Sequence, residues 1–227
     1  VKSGIPIADL GAGLYAVIGI LSAIQSREKN DSGEHVDISM LDTQVSLLTY
    51  MATMHFLSGE NPEPIGNQHM NHVPFNSYRT LDGFIQIGVV AEDFWPSLIE
   101  ALDLRQLDTE ENKVRIGRLK NRENIDEALQ EVFITNTTEH WLKILQEHRV
   151  PCGPINTLSE TFEDADLLKR NMIVEVLQDS GTSVKMPGNP VKISNHDEEF
   201  RRSPKLGEHT IEIFKSWLDK DISVDQD

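Results

Sequence analysis

The hydrophobic and polar positions along the chain predict a helix, a strand and a second helix in its first quarter. Apolar side chains recur three or four residues apart over residues 10–29, which is the spacing of an amphipathic helix. Residues 34–40 alternate polar and apolar side chains, as a half-buried strand does. A second helical pattern continues to about residue 57, and Ser39 or Asp42 is suited to cap its first turn.

A change of pattern after residue 58 predicts a linker followed by a second region. Residues 59–74 contain three prolines and two glycines, which is typical of a connecting segment. From residue 78 the pattern predicts a hairpin whose turn carries Asp82-Gly83. Residues 150–154 contain two prolines and a glycine and predict a rigid connector. The remaining predicted elements are helices at about 91–102, 112–120, 122–134, 138–148, 158–169 and 210–218, and strands at 173–177 and 182–186.

Composition narrows the possible partners. The chain has 227 residues, with 37 acidic and 21 basic side chains and a formal net charge of -16. This charge opposes binding to nucleic acid and to an anionic membrane surface, so neither partner is expected. The single cysteine, Cys152, cannot form an internal disulfide, and the eight histidines are scattered without the spacing of a zinc site. We therefore expect a soluble, cytoplasmic protein without a structural metal.

The long apolar stretch near the beginning predicts a buried helix rather than a membrane span. Residues 10–24 are fewer than the roughly 20 apolar residues that cross a bilayer. The opening residues also lack the basic start and cleavage pattern of a signal peptide. Because the first residue is Val1 rather than methionine, we expect the chain to be part of a longer protein.

One carboxylate stands out within this apolar stretch, in the sequence IADLGAGLY. Asp9 precedes the predicted helix, where the commonest role of such a residue is to cap the first turn. A carboxylate at that position is also stabilised as an anion by the helix dipole, and Gly11 and Gly13 allow a ligand to approach it closely. An ionised, partly dry carboxylate can act as a nucleophile on an acyl group, and the apolar residues beside Asp9 could supply the dryness.

Four segments in order resemble one known family. The segments are IPIADLGAGLYAVIGILSAIQSREKNDSGEHVDISMLD, HVPFNSYRTLDGFIQIGV, VPCGPINT and LGEHTIEIF. They resemble the class III coenzyme A (CoA) transferases of the CaiB/BaiF type, which include formyl-CoA and carnitine CoA-transferases and alpha-methylacyl-CoA racemase. The resemblance implies that Asp9 is the catalytic nucleophile, with acyl-CoA and a small carboxylic acid as substrates. It implies no bound cofactor and no metal.

The same resemblance implies which part of the family fold this chain forms. Family members are about twice as long, so the chain is expected to be the C-terminal part, lacking the half that supplies most CoA contacts. The expected fold class is α/β, with an α+β small domain. Residues 1–58 are expected to end a Rossmann-like large domain, 59–77 to be a linker, 78–186 a complete small domain, and 187–227 a segment returning to the large domain. The resemblance further implies an interlocked homodimer, and we expect the isolated chain to be inactive.

Other residues are expected near the substrate. Gly11, Gly13 and Tyr15 surround Asp9 in sequence, while the resemblance places His69, Asn71 and His72 in a segment near the active site. Some family members carry a glycine-rich loop there, and this chain does not. Loop histidines are more often surface hydrogen-bonding groups than catalysts, so this role stays open.

Two alternatives to the transferase remain open. In a racemase the aspartate would move a proton at the carbon next to the thioester, with a histidine from the other half of the protein. A non-catalytic dimerisation or interaction module is the second alternative. In that case, residues 1–58 and 186–227 would expose apolar faces when the large domain is not complete.

Overall fold

The structure is a computed structural model and describes residues 3–219. The chain divides into two compact units, the first ending at Gly66 and the second beginning at Asn67. This division falls inside the predicted linker. The predicted tail beyond Asp219 lies outside the described residues.

The first unit consists of three helices: α1 (Ile7–Asn30), α2 (Met40–Leu47) and α3 (Tyr50–Ser58). The long first helix is confirmed, and it begins three residues earlier than predicted. Capping by Ser39 is also confirmed, since its hydroxyl accepts a hydrogen bond from the Asp42 N–H at 3.2 Å. The second predicted helix is instead two helices, because the backbone at Thr49 turns through a positive φ of 49°.

Small residues let α1 approach its neighbours closely. A Cβ atom at Gly11 would lie 2.8 Å from the side chain of Thr43 on α2, and one at Gly19 would lie 2.8 Å from Val36. The predicted strand over residues 34–40 is wrong for the described chain. These residues run beside α1 without pairing to any described strand, and an isolated strand leaves its backbone groups unsatisfied.

The prediction that α1 is buried is also wrong. Gly11 is its one buried residue among those described, and Leu14, Ile18 and Leu21 are 67%, 60% and 61% exposed. The helix is 24 residues long and is apolar enough, by length and composition, to cross a bilayer. The prediction that this apolar segment is too short for a membrane span is therefore wrong. Length and composition alone are weak evidence for a span, because a core helix or a signal sequence has the same properties.

The second unit begins with an antiparallel sheet in the order β1-β2-β3, formed by β1 (Phe75–Arg79), β2 (Phe84–Gly88) and β3 (Cys152–Pro154). The hairpin is confirmed, whereas β3 replaces the predicted connector. Four helices lie between β2 and β3 in the sequence, and all four are close to their predicted positions. They are α4 (Phe94–Leu102), α5 (Arg115–Lys120), α6 (Arg122–Phe133) and α7 (Thr138–Glu147), with a short 3-10 helix at Arg105–Leu107.

The hydrophobic core of the chain lies in this second unit. Trp95, Leu98, Ile125, Leu129 and Phe133 are fully buried between the helices and the sheet. Each large side chain of this kind stabilises the fold by about 1.5–3 kcal/mol. This core fixes the positions of α4, α5 and α6 relative to the hairpin.

The last part of the second unit contains three helices and a second antiparallel pair of strands. The predicted helix over 158–169 is two helices separated at Asp164, whose carboxylate caps the second one. The strand pair and the final helix are confirmed. The elements are α8 (Leu158–Glu163), α9 (Ala165–Lys169), β4 (Ile173–Leu177), β5 (Ser183–Pro187) and α10 (Thr210–Leu218).

Gly117 on α5 generates a first prediction. A Cβ atom there would lie 1.8 Å from the Glu111 carbonyl oxygen, so alanine forces the backbone apart. We expect Gly117→Ala to lower the free energy of unfolding by about 1–3 kcal/mol, as overpacking does. The control is Gly153→Ala, because no atom lies within 4 Å of a Cβ at Gly153. Chemical denaturation of both variants measures the difference, and equal stabilities would contradict the packing argument.

Candidate active site

Asp9 lies in the first turn of α1. The helix begins at Ile7 with Pro6 before it, so the prediction that Asp9 caps the helix from outside is wrong. Its side chain is exposed, and the helix dipole favours the charged form of a carboxylate at this end. The apolar neighbours Ile7, Leu10 and Tyr15 are themselves partly exposed, so the expected dryness is not provided by the described residues.

The four site residues predicted on α1 lie on two different faces. Residues four apart share a helix face, which pairs Asp9 with Gly13 and Gly11 with Tyr15. Gly11 is buried against α2, and the Tyr15 hydroxyl lies 3.2 Å from the hydroxyl of Ser46, which also belongs to α2. A Cβ at Gly13 would have no atom within 4 Å, so the space beside Asp9 is open. Gly11 and Tyr15 therefore contact α2, and the role of Gly13 near the substrate stays a prediction.

A shallow cavity lies between α1 and α2, on the Tyr15 side. Its volume is about 200 Å³. Its lining consists of Tyr15, Asp37, Ile38, Ser39, Asp42, Thr43 and Ser46. Asp9 does not contribute to this cavity, and the cavity is therefore not the site of the predicted nucleophile.

The three predicted residues of the second unit lie together on one loop. The rings of His69 and His72 are 4.7 Å apart between centroids and tilted by 59°. His69 Nδ1 accepts a hydrogen bond from the Asn71 backbone N–H at 3.0 Å, so His69 carries its hydrogen on Nε2 when neutral. The loop that carries these residues, 69–73, is called the histidine loop below.

Three arginines hold the histidine loop, and the sequence analysis missed all three. Arg115 Nη1 donates to the Asn71 carbonyl at 3.2 Å, Arg118 Nε donates to the Val73 carbonyl at 2.8 Å, and Arg122 Nη2 donates to the His69 carbonyl at 2.8 Å. They follow one another at intervals of three and four residues. That spacing can be seen in the sequence. The sequence does not show which loop the arginines contact, because that loop lies more than 40 residues away.

Arg118 is almost fully buried, and each of its three guanidinium nitrogens donates at least one hydrogen bond. Besides Val73, it donates to the carbonyls of Asn112 and Lys113 and to the Glu92 carboxylate, the last at 2.7 Å. Its guanidinium carbon lies 5.3 Å from the ring centre of Trp95. Hydrogen bonds from Arg118 and from the backbone of Arg115 lower the pKa of Glu92, although partial desolvation opposes this. Glu92 is therefore the charged partner of Arg118.

The surroundings of His72 favour its neutral form. Desolvation lowers the pKa of His72 from 6.5, and the nearby positive groups of His69, Arg115 and Arg118 lower it further, against an opposing effect of Glu92. Nδ1 of His72 is buried and has no hydrogen-bond partner among the described residues. A buried N–H without an acceptor is rarer than a buried acceptor without a donor, so the ring hydrogen belongs on Nε2.

The described residues contain no group of three or more histidines, cysteines or carboxylates placed to hold a metal ion. The expectation that no metal takes part stays a prediction. Asp9 and the histidine loop belong to different units of the chain. The predicted site residues thus form two local groups, one on α1 and one held by α5 and α6.

Comparison with known proteins identifies the family. The sequence model of CoA-transferase family III matches residues 1–210, and the chain belongs to this family. The chain is 29% identical to human succinyl-CoA:glutarate CoA-transferase, covering 96% of this chain and 50% of that protein. It is 30% identical to acetyl-CoA:oxalate CoA-transferase from Acetobacter aceti, covering 94% of this chain and 54% of that protein.

A solved structure supports the same family. A CaiB/BaiF family protein from Brucella suis is 30% identical and superposes with a TM-score of 0.76, covering 94% of this chain and 56% of that one. The mixed helix and sheet fold class and the predicted family resemblance are confirmed. The chain spans about half the length of the curated relatives that it matches.

His72 generates a second prediction. We expect its imidazole to titrate below pH 6.5 and expect Arg115→Gln to raise its pKa, because one nearby positive charge is removed. The stability contributed by neutral His72 is then complete above pH 6.5 and is lost as the pH falls from 6.5 through the lower folded-state pKa, since the unfolded chain binds the proton more readily. Nuclear magnetic resonance (NMR) titration of the ring protons measures this, with His72→Gln assigning the signal.

The control for this titration is Arg105→Gln, which neutralises an exposed arginine paired with Asp103. The His72 midpoint should not move in that variant. A wild-type midpoint at or above 6.5 would contradict the stated surroundings of the ring.

Proposed function

We propose that this chain is the C-terminal part of a CoA-transferase that moves CoA from an acyl-CoA thioester to a carboxylic acid through Asp9. The position of Asp9 is the observation that carries the proposal. Its carboxylate is in the first turn of a 24-residue helix, with open space beside it at Gly13, in a chain of CoA-transferase family III. The term complete enzyme is used below for this chain joined to the half that the relatives have and the chain does not span.

The chemistry consists of four acyl transfers, and each conserves the activation of the carbonyl group. The Asp9 carboxylate attacks the donor thioester and expels CoA thiolate, which leaves a mixed anhydride on Asp9. The thiolate attacks the Asp9 carbonyl and releases the donor acid, which leaves an aspartyl-CoA thioester. The acceptor carboxylate attacks that thioester and expels thiolate again, and the thiolate then attacks the acceptor carbonyl and frees Asp9.

Two physical features of the chain suit this mechanism. Asp9 is in the first turn of α1, the end of a helix at which the dipole attracts negative charge, and the carboxylate is the form that attacks. The anhydride and thioester intermediates hydrolyse if water enters, so the exposed Asp9 must become covered in the complete enzyme. For this reason we propose that the isolated chain has no CoA-transferase activity. No metal or cofactor is needed in any step.

The relatives suggest the class of acid. Human succinyl-CoA:glutarate CoA-transferase and the Acetobacter aceti acetyl-CoA:oxalate enzyme are named for dicarboxylic acids. We propose that the acceptor here is a small acid of this class. The complete enzyme is proposed to work in the cytoplasm as a homodimer.

Asp9→Asn in the complete enzyme tests the nucleophile. We expect CoA transfer to fall by about three orders of magnitude or more, because an amide oxygen cannot replace the attacking carboxylate. The control is Asp31→Asn at the other end of α1, where the residue adopts a left-handed conformation that asparagine also tolerates. Transfer of radiolabelled CoA between acids measures both variants. Full activity in Asp9→Asn would remove Asp9 from the mechanism.

Hydroxylamine distinguishes the transferase from the racemase. It should trap an acylated Asp9 as a hydroxamate when acyl-CoA is present, and mass spectrometry would locate the added mass. A racemase would show exchange of the proton next to the thioester without any hydroxamate. The isolated chain, assayed alongside, should show no transfer, and transfer by it would contradict the proposal that it is incomplete.

The exposed face of α1 favours association as a second property of the isolated chain. Leu14, Ile18 and Leu21 share one helix face and are more than half exposed. Burying such side chains is worth about 1.5–3 kcal/mol each, so an uncovered face of this size drives contact between chains. This is the observation behind the alternative of a non-catalytic interaction module.

Sedimentation of the isolated chain tests this association. We expect a concentration-dependent species heavier than one chain, which the double variant Leu14→Lys with Leu21→Lys shifts toward the monomer. The control, Leu81→Lys with Leu177→Lys, changes two leucines of similar exposure in the second unit and should remain associated. A monomeric wild-type chain at high concentration would show that the face of α1 does not drive association.

A further inference from the structure

We propose that Arg115 and His72 form a subsite for a carboxylate group of a small acid. The subsite itself rests on the charges and hydrogen-bond donors around the histidine loop.

Positive charge is in local excess at this loop although the whole chain carries a net charge of -16. Arg118 is matched by the Glu92 carboxylate at 2.7 Å. Arg115 is exposed and makes no ion pair within 4.0 Å with a carboxylate of the described residues. One nitrogen of Arg115 donates to the Asn71 carbonyl, and the remaining guanidinium donors are available to a ligand. Arginine binds carboxylates through two parallel hydrogen bonds, which makes it suited to this ligand.

His72 supplies a neutral donor close to Arg115. Its buried Nδ1 has no partner within residues 3–219, so we assign the ring hydrogen to Nε2. His72 follows Asn71 directly, and Asn71 carries the carbonyl that Arg115 contacts at 3.2 Å. The charge of Arg115 also acts on the His72 ring, so the two side chains lie near each other. Glu92, His69, Arg115 and Arg118 are the charged or titratable groups that act on the His72 ring.

The donors are held in place before any ligand binds. Arg118 fixes the loop at the Val73 carbonyl, and Arg122 fixes it at the His69 carbonyl. The backbone N–H of Arg115 donates to Glu92 at 3.0 Å, so the start of α5 is also anchored. A site with fixed donors loses less conformational entropy on binding than a flexible one.

The balance of charge favours a carboxylate over a phosphate group. One unmatched guanidinium and one neutral imidazole suit a single negative charge, whereas the phosphates of CoA carry several. Glu92 lies beside the site and would repel a multiply charged ligand more strongly than a monoanion. The same donors could still attract either anion, so the test compares both.

Binding to the isolated 227-residue chain tests the subsite without catalysis. At constant ionic strength, glutarate should shift the His72 ring signals in NMR spectra in a saturable manner. Arg115→Gln should weaken this binding by about 10- to 100-fold, which is the usual effect of losing a hydrogen bond to a charged group. Arg115→Lys keeps the charge without the paired donors and should weaken it less. Arg105→Gln should have no effect.

Three outcomes would overturn the subsite. One is glutarate binding that is unchanged in Arg115→Gln. Another is the absence of any saturable shift of His72 in a wild-type chain whose spectrum shows a folded second unit. The third is tighter binding of CoA or inorganic phosphate than of glutarate at the same ring.

Discussion

The buried guanidinium of Arg118 is the interaction on which the arrangement of the second unit depends. A buried charge is strongly destabilising unless it is paired and its hydrogen bonds are made. Arg118 meets this requirement with partners from three parts of the chain: the Val73 carbonyl, the Asn112 carbonyl and the Glu92 carboxylate. The face of Trp95 lies beside it and adds a cation–π contact. Because these partners are far apart in sequence, Arg118 fixes α5, the histidine loop and the start of α4 relative to one another.

The two units differ in how many of their large apolar side chains are buried by the described residues. The second unit buries large side chains such as Trp95 and Phe133 completely and holds the histidine loop with three arginines. The first unit forms regular helices, but α1 has little buried surface within the described residues. The candidate nucleophile therefore lies on the unit whose apolar surface is uncovered, and the preformed donors lie on the other. A carboxylate that must be both ionised and dry depends on surroundings that bury α1.

Local patterns predicted most elements correctly, and failures occurred where a distant partner decides the structure. The hairpin and helices α4, α6 and α7 follow from turn chemistry and apolar spacing, which act over a few residues. Residues 34–40 have strand-like alternation, but without a neighbouring strand their backbone cannot form a ladder. The reverse occurs at Cys152–Pro154, where two prolines suggested a connector and pairing with β2 makes a short strand.

The candidate site shows the same limit. The family resemblance located Asp9 and the three loop residues, since those motifs are contiguous in sequence. The arginine series could be seen as helical spacing, but one of its members, Arg118, is buried, and burial depends on Glu92, which lies 26 residues earlier. Gly11 is the clearest example. Its sequence context suggested that a ligand could approach Asp9 there. In the structure, the side chain of Thr43 on α2 occupies the space beside Gly11, and the open position is Gly13, four residues after Asp9. A glycine pattern shows where the backbone can be approached, and only the fold shows which neighbour approaches it.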